Sequence, residues 1–259
     1  MNNYFKGRYY KHQKDGFTLC VIIGTSNQKD FIQIITNEEV FYYPSHKECV
    51  ITNTSLSLNL PEISGFIEYG SFTPLSASIM GPFHHLPLQC KHEILSMSHT
   101  LTGQFRIHKQ LIDFHGGTGY IEGDYGRSFP QKYMWLHCND FSSNLSIMVA
   151  VAHIPMVITS FTGCICAIVY NNKEYRLATY KGVTIIENRS SHLHLKQGHF
   201  DLSIHIKPST SHPLKAPHLG EMNQVIYESN CSEIDVTFTV DNHILFHEHS
   251  KGASYERHE

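Results

Sequence analysis

Apolar and polar residues alternate with a period of two along most of this chain, and that alternation leaves few folds open to it. FTLCVIIGTS, DFIQIITN, HEILSMSHTLTGQF, KYMWLHCND, KEYRLATYKG, HFDLSIHIKPS and SEIDVTFTVD each separate two distinct faces when extended. Turn-forming stretches such as GTSNQKD, NNKE and KPSTSHP divide them. Many short strands with frequent turns predict an all-β barrel or sandwich with little helix. Only PLKAPHLGEMNQVIYES has a pattern that suits a helical turn or two. At 259 residues the chain can bury a large core as one β unit or as two halves. YFKGRYYKHQ near the start and GDYGRSFPQK in the middle each open a strand-rich stretch with glycine, arginine and aromatics. That echo suggests two related halves over residues 1–117 and 118–259.

The balance of 20 Lys+Arg against 23 Asp+Glu, with no basic run, lacks the footprint that phosphate backbones require, so nucleic acid is not an expected partner. Seven scattered cysteines without a CxxC pair read as buried thiols in a reducing compartment. The start, MNNYFKGRYYKHQKDG, has no apolar stretch of the kind a signal peptide needs, and a cytoplasmic location is expected. Residues 141–172 contain no Asp, Glu, Lys or Arg, which raises the question of a membrane helix. The interruptions His153, Pro155, Thr159 and Gly163, and the β-branched pieces LSIMVAVAHI and CICAIVY, favour two buried strands instead.

The stretch GYIEGDYGRSFPQKYMWLHCND holds the only tryptophan. In KYMWLHCND both faces read as enclosed: Met134, Leu136 and Cys138 on one, Tyr133, Trp135, His137 and Asn139 on the other. Upstream, Tyr120, Glu122 and Asp124 share a parity and alternate with Gly119, Ile121 and Gly123, small members that would let a ligand approach the backbone. The pattern suggests a cavity wall of carboxylates and aromatic faces; the alternative is that Arg127 pairs with Glu122 or Asp124 and Trp135 plugs a barrel. In HEILSMSHTLTGQF, Glu93, Leu95, Met97, His99, Leu101 and Phe105 form an inward face on which Glu93 and His99 are the ionisable members; Ile94, Ser96, Ser98 and Thr100 face water.

The His192–His194, His247–His249 and His84–His85 pairs lack a third ligand in any recognisable metal motif, and surface histidines are the simpler reading. There is no phosphate loop, nucleophile elbow or dinucleotide fingerprint, so no cofactor and no metal is expected.

Four ordered segments resemble the tocopherol cyclase family. YFKGRY at 4–9 is similar to its YFxGWY opening, and MGPFHHLPLQCKHEILSMSHTLTG at 80–103 to its MGPF segment and SMxHxLxG run. GYIEGDYGRSFPQKYMWLHCNDF at 119–141 resembles its GYIEKDWGxSFPxxYIWxQxNxF block, and LKAPHLGEM at 214–222 its closing LxAPxxGxM. Arg8 and Tyr125 stand where the family pattern often has tryptophan, Gly123 where it has lysine and His137 where it has glutamine. The resemblance implies two packed lipocalin-like β-barrel halves, shared with carotenoid hydratase relatives, and closure of a chromanol ring from a prenylated benzoquinol.

Such a reaction protonates an alkene and traps the cation with a phenol, and it needs a buried acid beside aromatic faces. On that reading Asp124 or Glu122 is the catalytic acid and Tyr125 and Trp135 face the cation. His99, His137 or Asn139 orient the ring hydroxyl, with Glu93 and Tyr133 completing the wall. The expected partner is an apolar or prenylated small molecule, with which peripheral membrane association is compatible. A carrier that binds such a molecule unchanged, a hydratase that traps the same cation with water, and a carbohydrate-binding β-sandwich remain open alternatives.

Overall fold

The computed structural model describes residues 4–155 and 159–259. Met1 to Asn3, with which the amino-terminal stretch begins, lie outside the described residues. The chain forms two ten-stranded antiparallel sheets. The first is made of β1 (Phe5–Lys14), β2 (Phe17–Ser26), β3 (Lys29–Ile35), β4 (Val40–Tyr43), β5 (Cys49–Ile51), β6 (Ser55–Asn59), β7 (Ile63–Tyr69), β8 (Cys90–Ile107), β9 (Gln110–Asp113) and β10 (Thr118–Gly126). The second is made of β11 (Tyr133–Cys138), β12 (Leu145–Pro155), β13 (Ser160–Tyr170), β14 (Lys173–Ala178), β15 (Thr184–Arg189), β16 (His192–Gln197), β17 (Phe200–Lys207), β18 (His212–His218), β19 (Glu221–Val240) and β20 (His243–His258). Helix is confined to two 3-10 turns, Gly81–His85 and Thr179–Lys181, among the described residues.

The strand orders match: β4-β3-β2-β1-β10-β8-β7-β6-β5 in the first sheet and β14-β13-β12-β11-β20-β19-β17-β16-β15 in the second. Each is an open sheet, not the closed barrel expected, because the end strands of each order do not pair with one another among the described residues. The hairpins are set by two-residue turns with both φ angles positive, at Asp15–Gly16, Asn27–Gln28, Asn171–Asn172 and Asp241–Asn242. Asn, Asp and Gly tolerate that conformation, and its twist suits antiparallel strands. The uncharged stretch folds as β12 and β13, paired from Leu145–Tyr170 to Pro155–Ser160. No helix among the described residues is long and apolar enough to cross a membrane.

One sequence expectation is corrected here. PLKAPHLGEMNQVIYES is not helical but forms β18, a turn at Leu219–Gly220 and the start of β19. Leu214 pairs with Ile226 across this hairpin and both are buried, a period of two that pairing stabilises and a helix would break.

Three apolar clusters organise the molecule. One fills the concave side of the first sheet around Tyr10, Leu19, Ile32, Leu56, Ile67 and Phe105. Another fills the second sheet around Leu136, Ile147, Cys166, Leu177, Leu202 and Phe238. The third lies between the sheets and includes Tyr9, Cys20, Met97, Tyr120, Trp135, Met148 and Ile226. Strands at this seam are therefore enclosed on both faces, as read for KYMWLHCND: Met134, Leu136 and Cys138 join the second core, while Trp135 and His137 are buried against the first sheet. All seven cysteines are free.

Candidate functional site

A cavity of about 190 Å³ opens between the sheets, beside the central block. Phe5, Gly7 and Tyr9 of β1, Ile22, Phe31 and Gln33 line it from the first sheet, together with His92, Glu122 and Asp124. Tyr133, Trp135, Ala150, Ala152, Gly163, Glu228 and Glu256 line it from the second. Register explains the convergence. Glu228, Glu256, Trp135, Ala150 and Ile165 form one cross-strand row from β19 to β13, and in-register residues of antiparallel strands point to the same face.

The first sheet supplies an ion cluster. His92 is the register partner of Asp124, and its Nδ1 lies 3.0 Å from Asp124 Oδ1. Its Nε2 is 3.3 Å from Glu122 Oε2, close enough for charge attraction though not aligned as a hydrogen bond. Burial favours the neutral ring, but Glu122 and then Asp124 outweigh it and hold the imidazole well above the usual histidine range. Glu122 Oε2 also accepts hydrogen bonds from the Tyr120 hydroxyl and, at 3.2 Å, from the Trp135 indole. His92, Glu122 and Asp124 place one ligand atom each within 4.8 Å of one another, so this trio has donors suited to a metal ion. As arranged, His92 offsets one of the two carboxylate charges, and a metal ion bound through the ring would have to displace the His92 proton.

The second sheet supplies two buried acids. Glu228 is 2% exposed and Glu256 7%, and they are register partners. Burial raises the Glu228 carboxyl to about 8, against the hydrogen bond from Tyr9 and the charge of Lys11, which act to lower it. Tyr9 Oη donates to Glu228 Oε1 at 2.5 Å and packs edge-on against Trp135, with centroids 5.5 Å apart. Burial, reinforced by Asp124 and Glu122, pushes Glu256 well above the carboxylate range, and its Oε1 has no hydrogen-bond partner. Both acids are therefore held protonated at neutral pH.

Of the residues read from sequence, Asp124, Glu122, Trp135 and Tyr133 line this cavity. His137 and Asn139 are buried nearby in the seam: His137 stacks on Tyr120 at 3.5 Å, and Asn139 Nδ2 donates to the Gly119 carbonyl at 3.0 Å. Glu93, Tyr125 and His99 lie on the opposite face of the first sheet. Tyr125 has the parity of Gly123, and Glu93 packs against Gly123, where a Cβ would meet its Oε1 at 3.1 Å. His99 packs against Gly119, where a Cβ would lie 2.3 Å from its Nε2. These glycines thus make room for protein side chains, not for a ligand.

The single inward face expected for β8 is broken by two register shifts between Ile94 and His99. Met97 consequently turns to the seam while His99, Leu101 and Phe105 face the first core, and Ser96 is buried instead of solvated. Arg127 is exposed and pairs with neither carboxylate; His92 takes that place. Sequence reasoning missed His92, Tyr9, Glu228 and Glu256. Among the histidine pairs, His192 bonds Glu187 and Ser203, His194 bonds Asp201, His247 bonds Thr237 and His249 bonds Asp235.

Fold and site define an all-β protein of two lipocalin-like halves with a chamber between them. The chain belongs to the tocopherol cyclase-like family, whose model matches residues 46–253. Two solved structures of CghA share the fold. The one with Sch210972 superposes with a TM-score of 0.63 at 8% identity, covering 98% of this chain and 88% of that one. The other gives 0.61 at 9% identity with the same coverage. No curated protein sequence matches the chain.

Proposed function

We propose that this protein closes a ring in an apolar small molecule by protonating an alkene inside the inter-sheet cavity. The observation that carries this reading is Glu256, a buried carboxylic acid held neutral, with one oxygen unpartnered, on the wall of a largely apolar chamber. The Glu256 proton passes to the alkene carbon, the tertiary cation is captured by a hydroxyl oxygen of the same molecule, and the oxonium proton returns to the Glu256 carboxylate. Atoms and charge balance without an added reagent. Tyr9, Trp135 and Tyr133 present rings to the cation, each worth about 0.5 to 2 kcal/mol.

This reading moves the acid from Glu122 or Asp124 to Glu256. The first two are ion-paired with the His92 imidazolium, whereas Glu256 has the neutral, unpaired carboxyl that a donor requires. A prenylated benzoquinol is the substrate class that family membership favours. A carrier has no use for an unpartnered acid, and that residue favours catalysis over carriage.

The test is turnover of a prenylated benzoquinol by Glu256→Gln, with binding followed by Trp135 fluorescence. The expected result is a loss of about 100-fold or more in rate with binding kept. Full activity in Glu256→Gln would overturn the assignment.

A further inference from the structure

The cavity floor narrows in side-chain size from one end to the other. Tyr133 of β11 pairs with Ala152 of β12, which pairs with Gly163 of β13. Facing sheet surfaces lie about 10 Å apart and are normally filled to high density, so this fall from Tyr to Ala to Gly leaves space. Nothing in the backbone requires glycine at 163. Its φ lies outside the left-handed region, it sits in regular register, and an added Cβ would meet only the ring edge of Phe161 at 3.3 Å and the side chain of Ile154 at 3.5 Å inside 3.9 Å. The missing side chain therefore keeps the floor low between Phe161 and Ile154, and a larger residue would have to push the Phe161 ring aside or rise into the cavity.

Beyond Tyr133 the arm is walled by Ile154, Phe161 and Phe83, has no ionisable group on its floor among the described residues, and is half-buried, which makes it the more open end among those residues. At the other end of the same cavity stands Glu256, a buried carboxyl on the cavity wall whose Oε1 is unpartnered. Three strand spacings separate Glu256 on β20 from β13, about 14 Å.

We infer that the ligand is an elongated amphiphile whose polar, reactive part reaches the acids while its apolar tail lies over Ala152 and Gly163, and that these two residues set the tail it accepts. This rests on the proposed cavity reading and adds its orientation and its specificity determinants. A tail over bare backbone gains contact all along its length, whereas a side chain at either position would occupy the same volume.

The experiment uses the full chain and straight-chain primary alcohols from 1-octanol to 1-hexadecanol, with binding read from Trp135, the only tryptophan and 7% exposed on the cavity wall. For the wild type, affinity should rise about fourfold per methylene until the tail reaches the mouth. Ala152→Leu and Gly163→Val, each confirmed folded by its thermal transition, should bind 1-octanol as the wild type does and bind the longest alcohols at least tenfold more weakly. If both variants track the wild type across the series, the tail lies elsewhere and this inference falls while the cavity reading stands. If no alcohol binds the wild type, both fall.

Discussion

Glu228 and Glu256 face each other across β19 and β20 as direct register partners, two buried carboxyls on one wall. Neither is paired with a lysine or arginine at ion-pair distance among the described residues. Burial would leave either carboxylate unsolvated, and charge from the first sheet, Glu122 on Glu228 and Asp124 and Glu122 on Glu256, acts in the same direction, so each keeps its proton. The first sheet solves the opposite problem, setting two carboxylates around one imidazolium. The cavity thereby joins an ion-paired half, with two carboxylates on one imidazolium, to a neutral acidic half.

That arrangement has a signature in stability. An unfolded chain releases the Glu228 proton near the usual 4.5, whereas the folded chain holds it to about 8. Between these values the unfolded state binds fewer protons, so stability falls as pH rises, by on the order of 1 kcal/mol per unit, and levels off above pH 8. Glu256 acts in the same direction. Urea unfolding from pH 5 to pH 8 should show the decline in wild type and a shallower one in Glu228→Gln. An equal slope in the variant would mean that Glu228 does not carry the buried proton.

Tyr9 tunes that acid. Its hydroxyl donates to Glu228 Oε1, a bond that stabilises the charged form and limits the upward shift. Tyr9→Phe should therefore raise the Glu228 carboxyl further and extend the declining part of the stability profile to higher pH. It should also cost about 1 to 2 kcal/mol for the lost buried bond. A profile that moves toward lower pH would contradict the role.

His92 is the single cation in contact with Glu122 and Asp124 among the described residues. His92→Gln keeps much of the volume and removes the charge, leaving two carboxylates near one another behind a wall. Breaking a buried ion pair on one side costs about 3 to 5 kcal/mol, and urea midpoints at pH 6 should show a loss of that order. A change below about 0.5 kcal/mol would mean that the cluster is solvated.

Much of the fold was legible because strand periodicity and turn chemistry are local. GTSNQKD, with Asn27–Gln28, and NNKE, with Asn171–Asn172, announce hairpins before any contact is known. The seam was legible in KYMWLHCND, where a tryptophan and a histidine alternate with core residues. The acids were not. Glu228 lies in a segment whose polar residues hid the period of two, although reading it as a strand puts Glu228 on the face of Ile226. Glu256 lies in ASYERHE, which reads as a solvated strand end; only the packing of the first sheet over β20 buries it. His99 was misplaced for a related reason, since register shifts in β8 depend on the partner strand and leave no mark in the alternation itself.

The placement of His99 can be checked without any ligand. Its ring sits against Tyr69 and Phe72, with Nδ1 3.0 Å from Ser96 Oγ, in the first core and away from the cavity. Burial lowers it to about 3 from the usual 6.5. As pH falls through that window, the unfolded chain takes up a proton that the folded chain refuses, and stability drops by on the order of 1 kcal/mol per unit. His99→Leu removes this liability at the cost of the Ser96 bond, about 1 kcal/mol. The variant should therefore be slightly less stable at pH 7, flatter below pH 6 in urea unfolding, and unchanged in alcohol binding by Trp135 fluorescence. Because the ring is separated from the chamber by the thickness of the first sheet, a tenfold change in binding with the fold intact would place His99 at the site after all.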